Sequence, residues 1–270
     1  MRVFCLFGDD RVSMSKSPLM HNRAFKGRGM DACYVSFSVK AGLMEAALAG
    51  FRAMSFAGAN VTIPHKQNVI PYLDRLSPVA QRLSAVNTIA KVDGALVGDN
   101  TDVGGFCDAV TSIGHSFRNK ACLVIGTGGA ARGVLMALQM LGASSVHVAG
   151  RNYEKAVELS NDLGFESLEI GKLCSHSVNF SLVVNATSVS SPREADDEMT
   201  IIANSLIIND LELIFDINYG RSENIWKNAA NSIGCDFSDG LIMLAAQAAR
   251  SFNIWTNESA TLEEFLSYLE

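Results

Sequence analysis

The stretch ACLVIGTGGAARGVLMALQMLGASSVHVAGRN, residues 121–152, constrains the fold of this chain more than any other. An apolar strand pattern leads into Gly126, Gly128 and Gly129, which open a helix pattern that is followed by a second apolar strand. Backbone N–H groups and the helix dipole at such a loop can bind a dinucleotide pyrophosphate. Ala131 fills the last position of the G-x-G-x-x-G/A fingerprint, which tolerates alanine. The stretch predicts a dinucleotide-binding α/β unit, although a tight turn that requires positive φ would also use these glycines.

The end of the second strand indicates which dinucleotide binds. The fingerprint expects an acidic residue about 20 residues after the glycines, where it holds the adenosine ribose of NAD. This chain has Arg151 and Lys155 there instead. Two cations suit a ribose 2′-phosphate, and hydrogen bonds to charged groups contribute about 1.5 to 3 kcal/mol, enough for roughly ten- to hundredfold selectivity. The sequence therefore predicts NADP, with a solvated basic loop as the alternative.

Strand-like and helix-like patterns alternate along the rest of the chain, which is typical of α/β units around a largely parallel sheet. Ser17 and Pro18 predict the N-cap and first position of an early helix. Asp93 and Gly94 predict a two-residue hairpin turn. The pattern starts afresh after Asp102, which indicates a second domain.

Composition excludes several classes of protein. The net charge of -6, without clustered lysine or arginine, argues against a general nucleic-acid binder. The six cysteines include no C-x-x-C pair and no histidine at metal-ligand spacing, so neither a metal site nor a disulfide framework is expected. The short apolar run at the N-terminus is too brief for a signal peptide or a spanning helix. We expect a cytoplasmic protein that binds neither membrane nor nucleic acid; monomer and homodimer both remain open.

The stretch GANVTIPHK, residues 58–66, carries polar residues inside an apolar strand pattern. Asn60 and Thr62 alternate with apolar residues, so a strand would place both on one face. Pro64 is expected to end the strand and to leave Lys66 just beyond its carboxyl end, where ligands of open α/β sheets bind. An ordinary surface lysine is the alternative.

Four stretches in this chain resemble motifs of the shikimate dehydrogenase family. They are SKSP at 15–18, GANVTIPHK, AVNT with GDNTD between 85 and 102, and DGLIMLAAQAA at 239–249; with the glycine loop they follow the family's order. The resemblance implies a two-domain α/β enzyme with a cleft between its domains. Residues 1–102 plus 240–270 would form a three-layer α/β/α substrate domain, and residues 103–239 a Rossmann-like NADP-binding domain. The implied activity is reversible NADPH-dependent reduction of 3-dehydroshikimate to shikimate, in aromatic amino acid biosynthesis.

The resemblance also implies roles for individual residues. Lys66 and Asp102 match the family's catalytic pair. The matched substrate-binding positions are Ser15 and Ser17 for the carboxylate, Asn60, Thr62, Asn87 and Gln247 for the ring hydroxyls, and Tyr219. The matched cofactor-binding positions are Gly126, Gly128, Gly129, Ala130, Arg151, Lys155, Gly240 and Met243, although packing is an alternative role for Met243. The chemistry agrees, because an ammonium group can stabilise the oxyanion of a reduced ketone and donate its proton.

Alternative interpretations accompany these roles. Taken singly, Ser15 and Ser17 could cap a helix, Asn87 could serve a turn, and Gln247 could be paired inside a buried helix. Quinate or aminoshikimate dehydrogenase is an alternative activity in the same family. Methylenetetrahydrofolate dehydrogenase shares the two-domain plan but has a tyrosine four residues before its lysine, where this chain has Thr62. A dinucleotide-binding sensor without catalysis is the alternative from another class, although it would not need Lys66 as a proton donor.

Overall fold

The computed structural model describes residues 1–175, 179–195, 197–204 and 210–270. These residues form two compact units. The first consists of Met1–Gly105 and Ala245–Glu270, and the second of Phe106–Leu244. The first unit is therefore built from both ends of the chain, and the second from one continuous segment.

The first unit contains a six-stranded mixed sheet. Its strands β1 to β6 are Arg2–Gly8, Ala32–Ser38, Gly58–Val61, Arg75–Leu76, Thr88–Val92 and Ala95–Asp99, in the spatial order β2-β1-β3-β5-β6-β4. The β1 strand pairs in parallel with β2 and β3, whereas β5 is antiparallel to β3 and β6. The predicted hairpin is confirmed: Asp93 and Gly94 both have positive φ, at 51° and 82°, which is the conformation of a type I′ turn. This hairpin makes the first sheet mixed rather than largely parallel.

Helices cover both faces of the first sheet. Helices α1 (Ser17–Gly27), α2 (Met44–Ala53) and α3 (Pro78–Leu83) follow strands of this unit, and α4 (Asp102–Ser112) begins as the unit ends. Cys5 and Phe7 of β1 pack with residues of α2 on one face. Phe4, on the other face, stacks 4.9 Å from Phe25 of α1. The alternation of side chains along β1 thus produces three layers, as predicted.

The start of α1 differs from the prediction. Ser17 is the first residue of the helix, with Lys16 at the N-cap position, and the predicted N-cap role of Ser17 is wrong. Instead, the N–H of Ser17 donates to Ser15 Oγ at 3.2 Å. The turn before the helix therefore satisfies one of the N–H groups that a helix start leaves without an intrahelical partner.

The second unit contains a parallel sheet in the doubly wound order. Among the described residues its strands β7 to β12 are Ala121–Ile125, Ser145–Gly150, Glu166–Glu169, Leu182–Asn185, Leu213–Asp216 and Asp236–Asp239, in the order β12-β11-β10-β7-β8-β9. The chain order reverses between β7 and β10, and ligands of such sheets bind beyond the carboxyl ends of the strands at that point. The predicted dinucleotide-binding α/β unit is confirmed in its topology.

The helices of the second unit connect its parallel strands. Helices α5 (Gly129–Met140), α6 (Tyr153–Leu163), α7 (Asp197–Asn204) and α8 (Ile225–Ile233) belong to this unit. Helix α9 (Leu241–Thr256) starts in the second unit and continues in the first, which ends with α10 (Leu262–Ser267). Of the helices within the described part of the chain, none combines the length and apolar character that a membrane span requires.

A glycine in β3 allows α9 to lie against the first sheet. A Cβ added at Gly58 would stand 2.6 Å from Nε1 of Trp255, a residue near the end of α9. That nitrogen donates to the carbonyl of Ile89 on β5 at 3.0 Å, and the indole ring lies 5.1 Å from the ring of Phe4. The residues at the end of the chain thus complete the aromatic layer over the beginning of the chain.

His21 lies inside this aromatic layer and, among the described residues, has no polar partner. Its ring is fully buried, it stacks 4.5 Å from Tyr34, and it lies 5.2 Å from Trp255. Neither of its ring nitrogens makes a hydrogen bond to a described residue. Burial lowers the pKa of His21 from 6.5 to about 3, because the apolar surroundings disfavour the charged ring. His21 is therefore a packing residue of this layer.

This burial predicts an acid-sensitive first unit. Between pH 6.5 and about 3 the unfolded chain holds a proton on His21 that the folded chain does not, so the free energy of unfolding falls as the pH drops through that window. For one group this amounts to about 2 kcal/mol between pH 7 and pH 5. We expect His21→Phe to lose that part of the pH dependence, measured by urea unfolding at both pH values. Parallel pH profiles for the variant and the wild type would contradict the prediction.

Candidate active site

Lys66 and Asp102 form a direct ion pair in the first unit. Nζ of Lys66 lies 2.6 Å from Oδ2 of Asp102, and the two side chains are 24% and 18% exposed. Lys66 lies in the loop after β3, and its carbonyl accepts from the N–H of Val86 at 2.8 Å. Asp102 is the first residue of α4, where the helix dipole favours a carboxylate. Both groups are half-buried, and the loop and the helix start hold them in position.

The second carboxylate oxygen of Asp102 is held by Asn87. Nδ2 of Asn87 donates to Oδ1 of Asp102 at 2.8 Å, so each oxygen of the carboxylate has its own donor. The backbone N–H of Asp102 donates to Oδ1 of Asn100 at 3.0 Å. Asn100 in turn donates to the carbonyl of Ala85 at 3.0 Å. These bonds fix the plane of the Asp102 carboxylate toward the Lys66 ammonium.

The amide oxygen of Asn87 also has partners. It accepts from the N–H of Thr101 at 2.8 Å and from Oγ1 of Thr88 at 2.9 Å. Because donors already surround this oxygen, the NH₂ group of Asn87 has to face Asp102. Asn87 is 3% exposed, so water contributes little to these contacts.

Asn60 is buried and fully engaged within the protein. Its Oδ1 accepts from the hydroxyl of Tyr34 at 2.8 Å. Its Nδ2 lies 3.0 Å from the carbonyl of Asn87, 3.1 Å from Oγ1 of Thr88 and 3.0 Å from Oγ of Ser251. A substrate hydroxyl that binds Asn60 would join or replace partners that are already present.

The strand that carries Asn60 is shorter than its pattern predicts. The β3 strand ends at Val61, three residues before Pro64, and Ile63 is 56% exposed instead of lying on a buried face. The cause is local, because the carbonyl of Thr62 accepts from the N–H of His65 at 2.9 Å and turns the chain. Thr62 is half-buried, and its own N–H still donates to the carbonyl of Phe7 at 2.8 Å.

The remaining substrate-binding predictions of the first unit fall on α1 and α9. Ser15 is half-buried before α1, and Ser17 is 7% exposed as its first residue. Gln247 is half-buried on α9, beside a glycine of α4: a Cβ added at Gly105 would stand 2.8 Å from the Cβ of Gln247. Close packing of the two helices thus depends on Gly105. Of all the predicted substrate-binding residues, only Tyr219 belongs to the second unit.

The glycine loop of the second unit has room for a ligand next to a helix start. Gly126 has a φ of 128°, and a Cβ there would stand 2.8 Å from the backbone of Ala186, which follows β10. In contrast, Cβ atoms at Gly128 and Gly129 would meet nothing within 4 Å among the described residues. Gly128 is the N-cap residue of α5, with no side-chain cap, and Ala130 lies in the first turn. This open helix start fits an anion such as a pyrophosphate.

The predicted 2′-phosphate residues lie at the end of β8. Arg151 follows that strand directly, and both Arg151 and Lys155 are exposed. Asn152 between them is the N-cap of α6, and its Oδ1 accepts from the N–H of Lys155 at 2.9 Å. The cap orders the loop that carries the two cations at the carboxyl edge of the parallel sheet.

The other predicted residues of the second unit lie around the end of β11. Tyr219 is half-buried, and burial raises the pKa of its hydroxyl. The backbone of Gly240 lies close to the carbonyl of Ile217. Position 240 requires glycine, because an added Cβ would overlap that carbonyl. The N–H of Gly240 donates to the carbonyl of Asn218 at 2.9 Å. Met243 is half-buried in the first turn of α9.

A carboxylate links the loop of Tyr219 to the turn after β10. Nη1 of Arg221 donates to the carbonyl of Tyr219 at 3.2 Å, and its Nε donates to Oε1 of Glu194 at 2.9 Å. The other oxygen of Glu194 accepts from the N–H groups of Ser190 and Ser191, both at 3.0 Å. Partial burial alone would raise the pKa of Glu194, but these two N–H groups and the Arg221 guanidinium lower it to about 2. The carboxylate is therefore charged at neutral pH.

Sequence reasoning missed several residues that support the ion pair. They are Tyr34, Thr88, Asn100, Thr101 and Ser251. Thr88, Asn100 and Thr101 lie inside or next to the quoted motifs, so their position in the sequence could have identified them as candidate site residues. Tyr34 and Ser251 carry no such signal, because their contacts depend on the tertiary fold. Within the described part of the chain, no group of three or more histidine, cysteine or acidic residues is arranged to hold a metal ion.

Comparison with known proteins identifies the family. A model described as the shikimate dehydrogenase substrate binding domain matches residues 6–89, and one described as shikimate / quinate 5-dehydrogenase matches residues 108–231. The shikimate dehydrogenase (NADP(+)) of Moorella thermoacetica is 38% identical, over 92% of this chain and 86% of its own length. The Geobacillus kaustophilus protein of the same name is 37% identical, over 95% and 93%.

Solved structures agree with the sequence relatives. The crystal structure of shikimate 5-dehydrogenase from Thermus thermophilus, in complex with NADP(H) and shikimate, superposes with a TM-score of 0.88 at 30% identity. The match covers 99% of this chain and 98% of the Thermus thermophilus chain. The similarity extends over both units, and the chain belongs to the shikimate dehydrogenase family.

Proposed function

We propose that this chain catalyses the reversible, NADPH-dependent reduction of 3-dehydroshikimate to shikimate, a step of aromatic amino acid biosynthesis. The observation that carries the proposal is the Lys66–Asp102 ion pair, with 2.6 Å between Nζ and Oδ2 and with Asn87 on the other carboxylate oxygen. NADPH supplies the hydride when bound. Family membership supports the choice of substrate and cofactor, as do the NADP(H) and shikimate bound in the Thermus thermophilus structure.

Lys66 is the proposed proton donor. Reduction of a ketone places negative charge on its oxygen, and an ammonium group can stabilise that charge and then give up a proton. Asp102 holds the ammonium in one position through a charge-assisted hydrogen bond. Asn87 keeps the carboxylate from rotating away. In the oxidation direction the same lysine would accept the proton from the shikimate hydroxyl.

The other predicted residues keep their proposed roles. The proposed substrate contacts are Ser15, Ser17, Asn60, Thr62, Asn87 and Gln247, within a substrate domain of residues 1–102 plus 240–270, and Tyr219 from residues 103–239. The proposed NADP contacts are Gly126, Gly128, Gly129, Ala130, Arg151, Lys155, Gly240 and Met243, mostly from residues 103–239. The open start of α5 supports the pyrophosphate position, because Cβ atoms at Gly128 and Gly129 would meet no described protein atom within 4 Å. The described cysteine side chains form no disulfide, which suits the reducing cytoplasm.

The test is an assay of NADPH oxidation by the purified chain with 3-dehydroshikimate. We expect turnover, and in the reverse direction a higher kcat/KM for shikimate than for quinate with NADP. The quinate arm is needed because the matching family model covers shikimate and quinate 5-dehydrogenases. Preference for quinate or aminoshikimate would reassign the substrate within the family. A chain that binds NADPH but neither reduces 3-dehydroshikimate nor oxidises shikimate, quinate or aminoshikimate with NADP would favour the dinucleotide sensor.

A further inference from the structure

One buried hydroxyl group joins the helix that carries Gln247 to the residues around Asn87. Ser251 of α9 is fully buried. Its Oγ donates to the carbonyl of Gln247 at 3.0 Å, one helical turn earlier. It also lies 2.9 Å from Oγ1 of Thr88 and 3.1 Å from Oγ1 of Thr101. Together with the 3.0 Å bond from Asn60, four groups surround this one oxygen.

The protons of this cluster can be assigned without leaving a donor unpaired. A serine hydroxyl has one proton and two acceptor sites. With its proton on the carbonyl of Gln247, Ser251 can accept from Asn60 and from Thr101. Thr101 can donate there because its own oxygen accepts from Nδ2 of Asn87 at 3.0 Å. The hydroxyl proton of Thr88 is then directed to Oδ1 of Asn87.

This assignment has a consequence for Asn87. Its amide oxygen is occupied by the Thr88 hydroxyl and the N–H of Thr101, so its NH₂ group points at Asp102. If the amide were rotated by half a turn, its oxygen would face the Asp102 carboxylate and two like partial charges would meet. Ser251 opposes that rotation, because it accepts the proton of Thr101. Its own proton is on the carbonyl of Gln247, so the Thr88 proton is left for Oδ1 of Asn87.

We propose that Ser251 is a positioning residue of the reduction. It holds the proton arrangement of Thr88 and Thr101 that orients Asn87, and Asn87 aims Asp102 at Lys66. The proposal rests on the function proposed above, since the ion pair has to be the site of proton transfer. Ser251 itself contacts neither Lys66 nor Asp102 in the described structure, so its effect passes through Asn87.

Removal of the hydroxyl should affect turnover more than binding of the cofactor. In Ser251→Ala the buried Thr101 hydroxyl loses its acceptor and is left with its longer contacts to Asn87 and Thr88, at 3.2 and 3.3 Å. The hydrogen bonds that orient Asn87 then no longer have one fixed arrangement. We expect kcat for 3-dehydroshikimate to fall about tenfold, because a displaced catalytic group slows the reaction. The KM for NADPH should stay within about twofold of wild type. An unchanged kcat would overturn the proposal.

The matched control is Thr256→Val on the same helix. Oγ1 of Thr256 donates to the carbonyl of Phe252 at 2.7 Å, the same bond to the preceding turn that Ser251 makes. Among the described contacts, Thr256 makes no bond to Thr88, Thr101 or Asn87. We expect this variant to keep kcat within about twofold of wild type. A loss equal to that of Ser251→Ala would assign the effect to the helix in general and would overturn the proposal.

A double-mutant cycle tests the path through Asn87. If Ser251 acts through Asn87, Ser251→Ala should lower kcat by less than about twofold in an Asn87→Ala background. Losses that multiply would show independent roles and overturn the proposal. Should Ser251→Ala fail to fold, Ser251→Cys, with its weaker donor, serves in the same cycle. Wild-type turnover is measured in parallel: an inactive wild type rejects the proposed function, whereas an active one with an unaffected Ser251→Ala rejects only this inference.

Discussion

Replacement of Lys66 with alanine is expected to lower kcat for 3-dehydroshikimate reduction by at least about a hundredfold, because the variant lacks the proposed proton donor. The ammonium is 2.6 Å from the Asp102 carboxylate, which holds it in one position. The Kd for NADPH, measured by fluorescence titration, should stay within about twofold of wild type, because the glycine loop is unchanged. Asp102→Asn should also lower kcat, since the ammonium loses its charged partner.

Lys91→Ala is the control for this prediction. Lys91 is an exposed lysine on β5 of the same unit, so the variant removes the same charge without disturbing the ion pair. Its kcat should equal that of the wild type. A Lys66→Ala enzyme with wild-type kcat would remove Lys66 from the mechanism. A variant that also loses NADPH affinity would show a wider structural effect of the substitution.

Replacement of Arg151 with alanine is expected to lower kcat/KM for NADPH by roughly ten- to hundredfold while kcat/KM for NADH changes little. Arg151 is exposed directly after β8, on the loop that Asn152 orders, and NADH lacks the 2′-phosphate that Arg151 is proposed to bind. The measurement compares kcat/KM for the two cofactors at saturating 3-dehydroshikimate. Lys155→Ala should shift the ratio in the same direction.

Arg118→Ala is the matched control for Arg151. Arg118 is exposed shortly before β7, at the amino end of the same parallel sheet. Because ligands of such sheets bind at the carboxyl ends, this variant should keep the wild-type cofactor preference. Equal losses with NADPH and NADH in Arg151→Ala would mean that the arginine supports the loop rather than the phosphate.

Local sequence patterns were enough to predict several strands, helices and turns. The glycine loop predicted a strand, a helix and a second strand, and β7, α5 and β8 follow that order. Asp93 and Gly94 predicted the hairpin because few residue pairs adopt two positive φ angles. In contrast, β4 consists of two residues, Arg75 and Leu76, which is too short to show any periodicity. The β4 strand forms because it pairs with β6 in the folded sheet, and no pattern in its own sequence predicts that pairing.

The candidate site likewise combines residues that the sequence predicted with residues whose contacts depend on the tertiary fold. Neither spacing nor periodicity brings Lys66 and Asp102 together; the resemblance to a family supplied that pair. The resemblance could not supply Ser251, because its role depends on α9 lying beside Thr88 and Thr101. The predicted start of α1 was wrong by one residue. Ser17 is the first residue of the helix and not its N-cap, and its N–H donates to the Ser15 hydroxyl.

The discontinuous first unit has a consequence for how the protein is made. A ribosome that has released residues 1–105 has delivered every strand of the first sheet but not the tryptophan that covers Phe4 and bonds to Ile89. The continuous second unit is synthesised in between, at about 5–20 residues per second. Part of one sheet face is thus exposed to chaperones and proteases for about 7 to 30 seconds. Nascent chains stalled before α9 should be cleaved within the first unit while the second unit resists.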